Sequence, residues 1–173
     1  MNKTIGLIYG SDTGMTEEIT HNIVDEWNTS DIKVIEVSNA TLSDFEKFDF
    51  LILGLSTWYD GDLQSDWESY FEEFKTIDFT GKTIALFGLG DQYGYGEFFI
   101  DGVGMLAKVI LENGGEIIGN WPVEGYDFSE SKAEIQGEDL FYGLAIDEDN
   151  QPELTQERVK KWLDQLQTEA SLN

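Results

Sequence analysis

The sequence predicts an α/β fold, a parallel β-sheet covered by helices on both faces. Three observations predict it. Short apolar runs alternate with helical patterns along the chain. One run, Phe50 to Leu55, is almost wholly apolar, as a central parallel strand is. Strict alternation of the two kinds of element implies a layered α/β architecture. Five strands in such a sheet commonly run in the order 2-1-3-4-5.

Each element has its own justification. Ile5 to Tyr9 reads as a buried first strand, and Met15, Ile19, Ile23 and Trp27 follow at helical spacing. Ile32 to Val37 alternates, as an edge strand does. Phe50 to Leu55 is the third strand. Ser65 and Glu68 form a capping box for a helix carrying Trp67, Phe71 and Phe74. Thr83 to Phe87 is the fourth strand. Ile100, Val103, Ala107 and Ile110 mark a helix that stops near Asn113-Gly114-Gly115. Glu116 to Trp121 is the fifth strand. Pro152 helps to open a last helix lined by Val159, Trp162, Leu163 and Leu166. The polar stretch 122–139 breaks the rhythm before the apolar run Leu140 to Ile146. It reads as an excursion within a single domain spanning 1–173, a length that suits one core.

Composition narrows the function. The chain has 35 acidic and 10 basic residues, a formal net charge of −25. Nucleic acid is a poor partner, because phosphate contacts need clustered Lys and Arg. An anionic membrane repels such a chain, whereas a basic protein is steered toward it. Solubility alone would explain the same charge. There is no cysteine, which excludes disulfides, thiolate catalysis and thiolate-bound metals, and the single His21 cannot build a histidine metal site. The start has no signal-peptide pattern and no stretch reaches transmembrane length, so a cytoplasmic location is expected.

In an open α/β sheet, ligands bind beyond the carboxyl ends of the strands, where the strand order reverses. Here that means the loops after strands one and three. After strand one comes Ser11-Asp12-Thr13-Gly14-Met15-Thr16, three hydroxyls and a glycine where a helix begins. Free amides and the helix dipole make this an anion site. It lacks the spacing of a nucleotide P-loop, and Met15 stands where a Lys might help. Helix capping by Ser11 or Thr13 would explain the same residues. After strand three comes Ser56-Thr57-Trp58-Tyr59-Asp60-Gly61, in which Trp58 is either a stacking platform or an aromatic folded onto the core. After strand four, Gly88 to Gly96 lets backbone approach a ligand closely, and Tyr95 offers a second aromatic face; a mobile surface loop is the alternative. Glu97 and Asp101 read as solvated, and Asp147-Glu148-Asp149-Asn150 as an acidic turn. Together the loops suit a flat heteroaromatic ring with a phosphate tail. They suit hydrolysis badly, because no base–nucleophile pair stands out.

These residues resemble a known family. Ser11 to Thr16, Ser56 to Trp67, Gly88 to Tyr95 and Gly143 to Asp149, in that order, are similar to the long-chain bacterial flavodoxins. The 122–139 excursion resembles the insertion, placed in strand five, that separates long-chain from short-chain members. Flavodoxins are themselves the standing example of the 2-1-3-4-5 order, so the resemblance implies a flavodoxin-like three-layer sandwich with that order.

The resemblance further implies an FMN cofactor with its phosphate on Ser11, Asp12, Thr13, Gly14, Met15 and Thr16. It implies an isoalloxazine ring between Trp58 and Tyr95, beside Ser56, Thr57, Tyr59 and Asp60. Leu89, Gly90 and Asp91 would meet the pyrimidine end, and Asp147 the ribityl chain. Met15 stands where some members have Lys, and Phe98 where some have Asn, so amides and hydroxyls alone are expected to hold the phosphate.

As implied activity, such a protein is a low-potential one-electron carrier and not an enzyme. It shuttles between semiquinone and hydroquinone. Its partners are basic-faced redox proteins, such as a ferredoxin/flavodoxin NADP reductase and acceptor enzymes, and it works as a monomer. Asp60, Asp62, Asp91 and Asp147 would disfavour the anionic reduced flavin. At roughly 10 Å and an effective dielectric of about 40, each costs about 0.8 kcal/mol, roughly 35 mV. In the family, a peptide after the stacking Trp turns toward the flavin. Tyr59, with its Cβ, is expected to resist the positive φ that this turn favours. The alternative is an FMN-dependent NAD(P)H quinone reductase on a related fold. A phospho-receiver needs acids at the ends of strands one and three, where Ser11 and Ser56 stand.

Overall fold

The computed structural model describes residues 4–170. Strand β1 (Ile5–Tyr9) is buried along its whole length and leads into helix α1 (Met15–Glu26). β2 (Ile32–Glu36) follows, only half-covered, as the edge position predicts. A short helix α2 (Leu42–Glu46) comes next, opened by a Thr41–Asp44 capping box. β3 (Phe50–Trp58) runs three residues past the predicted apolar stretch, because Thr57 and Trp58 pair antiparallel with β4 (Asp62–Leu63).

α3 (Ser65–Phe74) does not begin as the capping box predicts. Gln64 is its N-cap, with its side-chain oxygen accepting from the Trp67 amide. Ser65 is the first helical residue, and its hydroxyl turns to Asp12 instead. β5 (Thr83–Leu89) and α4 (Asp101–Glu112) then complete the centre of the molecule. The strands β6 (Glu116–Ile118), β7 (Trp121–Pro122), β8 (Glu134–Ile135), β9 (Leu140–Phe141) and β10 (Leu144–Ile146) follow. A 3-10 turn at Pro152–Leu154 opens α5 (Thr155–Glu169).

The main sheet runs β2-β1-β3-β5, all parallel, and its fifth place is shared. β6 pairs with Thr83–Ala85 and β10 with Phe87–Leu89, so the fifth strand is cut in two and the chain between leaves the sheet. This corrects the end of the predicted strand. Trp121 belongs to a small antiparallel sheet, β7-β9-β8, and not to the main one. The insertion therefore occupies 119–143, wider than the polar stretch alone. Aromatics hold it down: Phe128 and Phe141 have centroids 5.3 Å apart, and Tyr126 and Phe141 5.5 Å. The Tyr126 hydroxyl donates to the Ala145 carbonyl at 2.6 Å and accepts from the Trp121 indole at 3.0 Å.

Alternation along the central strands feeds two cores. Leu51, Leu53 and Leu55 of β3 face Trp67, Phe74 and Leu106 of α3 and α4. Phe50 and Ile52 face Ile19, Ile23 and Trp162 of α1 and α5. Each such side chain contributes roughly 1.5–3 kcal/mol on burial. The consequence for function is a rigid sheet whose carboxyl-end loops are carried on adjacent strands. Tyr9 pairs with Gly54, and Ser56 with Leu89. Among the described residues, no helix is long and apolar enough to cross a membrane.

Candidate functional site

The loop after β1 is an open helix N-terminus. Gly14 takes φ 89° as the residue before α1, and no side chain caps the helix. The Ser11 hydroxyl accepts from the Gly14 amide at 3.0 Å, and the Glu18 amide bonds back to the Gly14 carbonyl. Among the described residues, no protein group accepts from the amides of Met15, Thr16 and Glu17. Ser11 thus shapes the loop while the helix end stays available. Capping by Ser11 or Thr13 is therefore not what these hydroxyls do for α1, and an uncapped helix end has the chemistry to take an anion. Thr13 and Gly14 are exposed, whereas Thr16 is buried under the helix.

Asp12 points elsewhere. It accepts from Gln64 Nε2 at 3.1 Å, from the Ser65 amide at 3.4 Å and from the Ser65 hydroxyl. Burial opposes its ionisation, but these hydrogen bonds outweigh that and hold its carboxyl below the ordinary carboxylate range. Asp12 is therefore a strut that ties the β1 loop to the start of α3. Gln64, fully buried, is the hub of that strut: a Cβ on Gly10 would stand 1.9 Å from its Oε1.

The loop after β3 carries the aromatic platform. Trp58 is half-buried, its ring 6.4 Å from that of the exposed Tyr59. Its indole N–H is buried and has no acceptor at hydrogen-bonding distance, although it lies near enough to Asp12 to help lower that carboxyl's pKa. An orphaned buried donor in a loop is a cost that a ligand can relieve. Ser56 gives its carbonyl to the Gln64 amide, and the Thr57 hydroxyl accepts from the Gly102 amide at 2.9 Å.

Tyr59 does not resist the left-handed region. It sits at φ 46°, followed by Gly61 at 90°. The cause is the register Thr57↔Leu63 and Trp58↔Asp62, which leaves only 59–61 to turn the hairpin. Asp60 is exposed at the tip. Asp101, read from the sequence as solvated, is in fact buried at 2% exposure. Its Oδ1 accepts from the Lys132 amide at 2.8 Å, and its Oδ2 lies 2.9 Å from where a Cβ on Gly61 would be. Burial raises its pKa, with the Lys132 amide and ammonium opposing.

The loop after β5 is a second braced turn. The Leu89 side chain is buried in the core, so this residue has only backbone to offer; the Gly90 amide bonds to the Ile146 carbonyl. Asp91 accepts from the Tyr93 and Gly94 amides and from Asn150 Nδ2. Burial opposes its ionisation, but those bonds win and its pKa is lowered. Tyr95 is 46% exposed, an apolar ring held in water. Asp147 is fully buried, and both its oxygens accept: from the Gln92 amide and side chain, and from the Asn150 amide and side chain. It organises Gln92 and Asn150 around the turn. The sequence gives Gln64 no role, passes over Gln92 inside the Gly88 to Gly96 loop, and reads Asn150 only as part of an acidic turn. Only Asn150 left a trace, three residues after Asp147 in an Asx-type turn.

An uncapped helix end, an orphaned indole and an exposed tyrosine thus share one sheet edge, with no Lys or Arg in residues 11–16, 56–63 or 88–96. The family model for flavodoxin matches residues 7–162. The chain belongs to the flavodoxin family. It is 45% identical to the flavodoxin of a Nostoc species over 172 residues, covering 99% of this chain and 100% of that one. It is 50% identical to the flavodoxin of a Picosynechococcus species over 163 residues, 94% and 95% of the two chains. Flavodoxin 1 of Escherichia coli is 45% identical over 168 residues, 97% of this chain and 95% of that one. A crystal structure of Fusobacterium nucleatum flavodoxin bound to flavin mononucleotide superposes with a TM-score of 0.91 at 35% identity, covering 96% and 98% of the two chains. The flavodoxin fold expected from the sequence is thus the fold observed, with the split fifth strand as its elaboration. The quinone-reductase alternative gains no support from these likenesses.

Proposed function

We propose that the protein is an electron carrier that binds one FMN at the carboxyl edge of its sheet. The observation that carries this reading is the uncapped α1 N-terminus, free of cations, on the same edge as Trp58 with its orphaned N–H. The residues fit that group. The amides of Met15, Thr16 and Glu17, with the hydroxyls of Ser11 and Thr13, would hold the phosphate; Trp58 and Tyr95 would flank the ring; Gly90 and Asp91 would border its polar end. FMN supplies the redox chemistry when bound, accepting and releasing electrons singly.

The chain's own residues do the rest. The strut Asp12–Gln64–Ser65 fixes the phosphate loop against α3, and the Asp91–Asn150–Asp147 network fixes the loop after β5. Both loops are braced by the protein's own side chains, and bracing of that kind lowers the ordering cost of binding. The aromatic flanks exclude water. The acids Asp60 and Asp62, exposed, and Asp91, held ionised, surround the ring position with negative charge. That disfavours adding further negative charge there, which is the direction of a low potential. The wider acidic surface suits basic-faced reductases and acceptors, with docking speeded by charge and slowed by salt.

The test is stepwise reduction of the purified, FMN-loaded protein followed in the visible range. It should accept electrons from a reductase and pass them to an acceptor, yet show no steady NADH or NADPH oxidation alone. Steady turnover of nicotinamide by the protein alone would refute the carrier reading.

A further inference from the structure

The turn after β5 is fastened at both ends, and the insertion takes part in each fastening. Tyr95 lies inside that turn. Its amide donates to the Asp91 carbonyl at 3.0 Å, and its carbonyl accepts from the Phe98 amide at 3.0 Å. One residue further on, the Gly96 carbonyl accepts from the Ser129 amide at 2.8 Å and from the Glu130 amide at 3.0 Å. Three residues before Tyr95 stands Gln92, only 2% exposed. The two ends also meet: a Cβ on Gly96 would stand 2.6 Å from the Gln92 carbonyl oxygen.

Gln92 joins three segments. Its Oε1 accepts from the Asp127 amide of the insertion at 2.6 Å. Its Nε2 donates to Asp147 Oδ2, just after β10, at 2.7 Å, and its own amide donates to the same oxygen at 3.1 Å. A carboxamide suits this place because it donates toward an acid and accepts from an amide at once. Leu does neither, and an ionised Glu only accepts. Buried as it is, Gln92 has almost no surface to offer a ligand. Any effect that it has on one passes through the turn that it holds.

We propose that Gln92 is a positioning residue for the flavin ring, acting through Tyr95. It pins the turn between the insertion and the segment after β10, and so restricts where the half-exposed Tyr95 ring can stand. An aromatic on an unpinned turn samples more positions, and fixing it on binding costs affinity. The cost falls on the ring and spares the phosphate, which would bind on the loop after β1. This inference rests on the reading of the edge as an FMN site.

A double-variant cycle on flavin affinity tests it, with FMN and riboflavin each titrated into the FMN-free full chain. Gln92→Leu should weaken both ligands by the same factor, about tenfold or more. In a Tyr95→Ala background the same change should cost about twofold or less. Gln92→Glu keeps the acceptor for the Asp127 amide and serves where the Leu variant does not fold. At about pH 8 its acid repels Asp147 and riboflavin binding should be weak; toward about pH 6 the two acids share a proton and binding should recover. The parent, titrated alongside, removes the contributions of Asp91, Asp127 and Asp149. Four results would each overturn the proposal: unchanged affinity in Gln92→Leu, a loss confined to FMN, an equal loss with and without Tyr95, or a Gln92→Glu affinity that stays low as pH falls. A parent that binds neither flavin would instead refute the FMN reading itself.

Discussion

Single residues near the carboxyl edge of the sheet carry more strain and burial than their types announce. Tyr59 holds φ 46° with a full side chain, a conformation that costs an L-residue roughly 1–2 kcal/mol. Removing the ring and removing the Cβ are separable. Tyr59→Ala keeps the strain and Tyr59→Gly relieves it, so in urea unfolding of the FMN-free protein the Gly variant should be the more stable by about 1 kcal/mol. Equal stabilities would mean that the turn does not need the left-handed region. Asp101 is the second case. Burial raises its pKa, so its charged form is disfavoured more in the folded than in the unfolded chain. Stability is then lost as pH climbs through the folded-state pKa. Asp101→Asn keeps an acceptor for the Lys132 amide and removes the charge, so its thermal midpoint should exceed that of the parent at neutral pH. The gap should close as pH falls toward the ordinary carboxylate value of about 3.9; a gap that widens on acidification would contradict this. Tyr59 and Asp101 escape prediction from sequence for one reason. Both are set by contacts between distant segments, the hairpin register in one case and the insertion in the other. The turn into α1 at Ser11 and Gly14 is legible because it is local to one helix end.

At the scale of elements, period and punctuation are enough to place five main strands and four helices. α2 and β4 escape, being five and two residues long. The insertion is visible as a break in rhythm, but its docking is not. Its polar composition hides Tyr126 and Phe128, which pack with Phe141 of the following apolar run and against Phe99 of the preceding loop. Tyr126 is the latch: its hydroxyl bridges Trp121 and the Ala145 carbonyl, and Arg158 of α5 lies 4.2 Å over its ring. Tyr126→Phe keeps the ring and deletes both hydrogen bonds, so a loss of about 1–3 kcal/mol is expected. Hydrogen exchange should locate the loss in 119–143 and leave β1, β3 and β5 protected. Uniform loss of protection would show that the insertion does not open as a separate unit.

For the whole molecule, the net charge of −25 poses a problem for the proposed flavin site. A phosphate monoester is an anion approaching an anionic protein, and residues 11–16 offer it no cation. In the proposed reading, amides at an uncapped helix end and the hydroxyls of Ser11 and Thr13 take its place, on a loop tied to α3 by Asp12, Gln64 and Ser65. Contacts of that kind are short-ranged, while the opposing field of the acids is long-ranged and screened by salt. The deciding measurement is flavin fluorescence quenching on titrating FMN into FMN-free protein, from about 20 mM to about 500 mM salt, within the range where screening changes most. Tight one-to-one binding that salt leaves unchanged or strengthens is expected, with riboflavin binding weaker by about a hundredfold or more for want of the phosphate. An FMN affinity that falls by about tenfold or more with salt, or riboflavin binding as tightly as FMN, would contradict a phosphate site built from amides and hydroxyls alone.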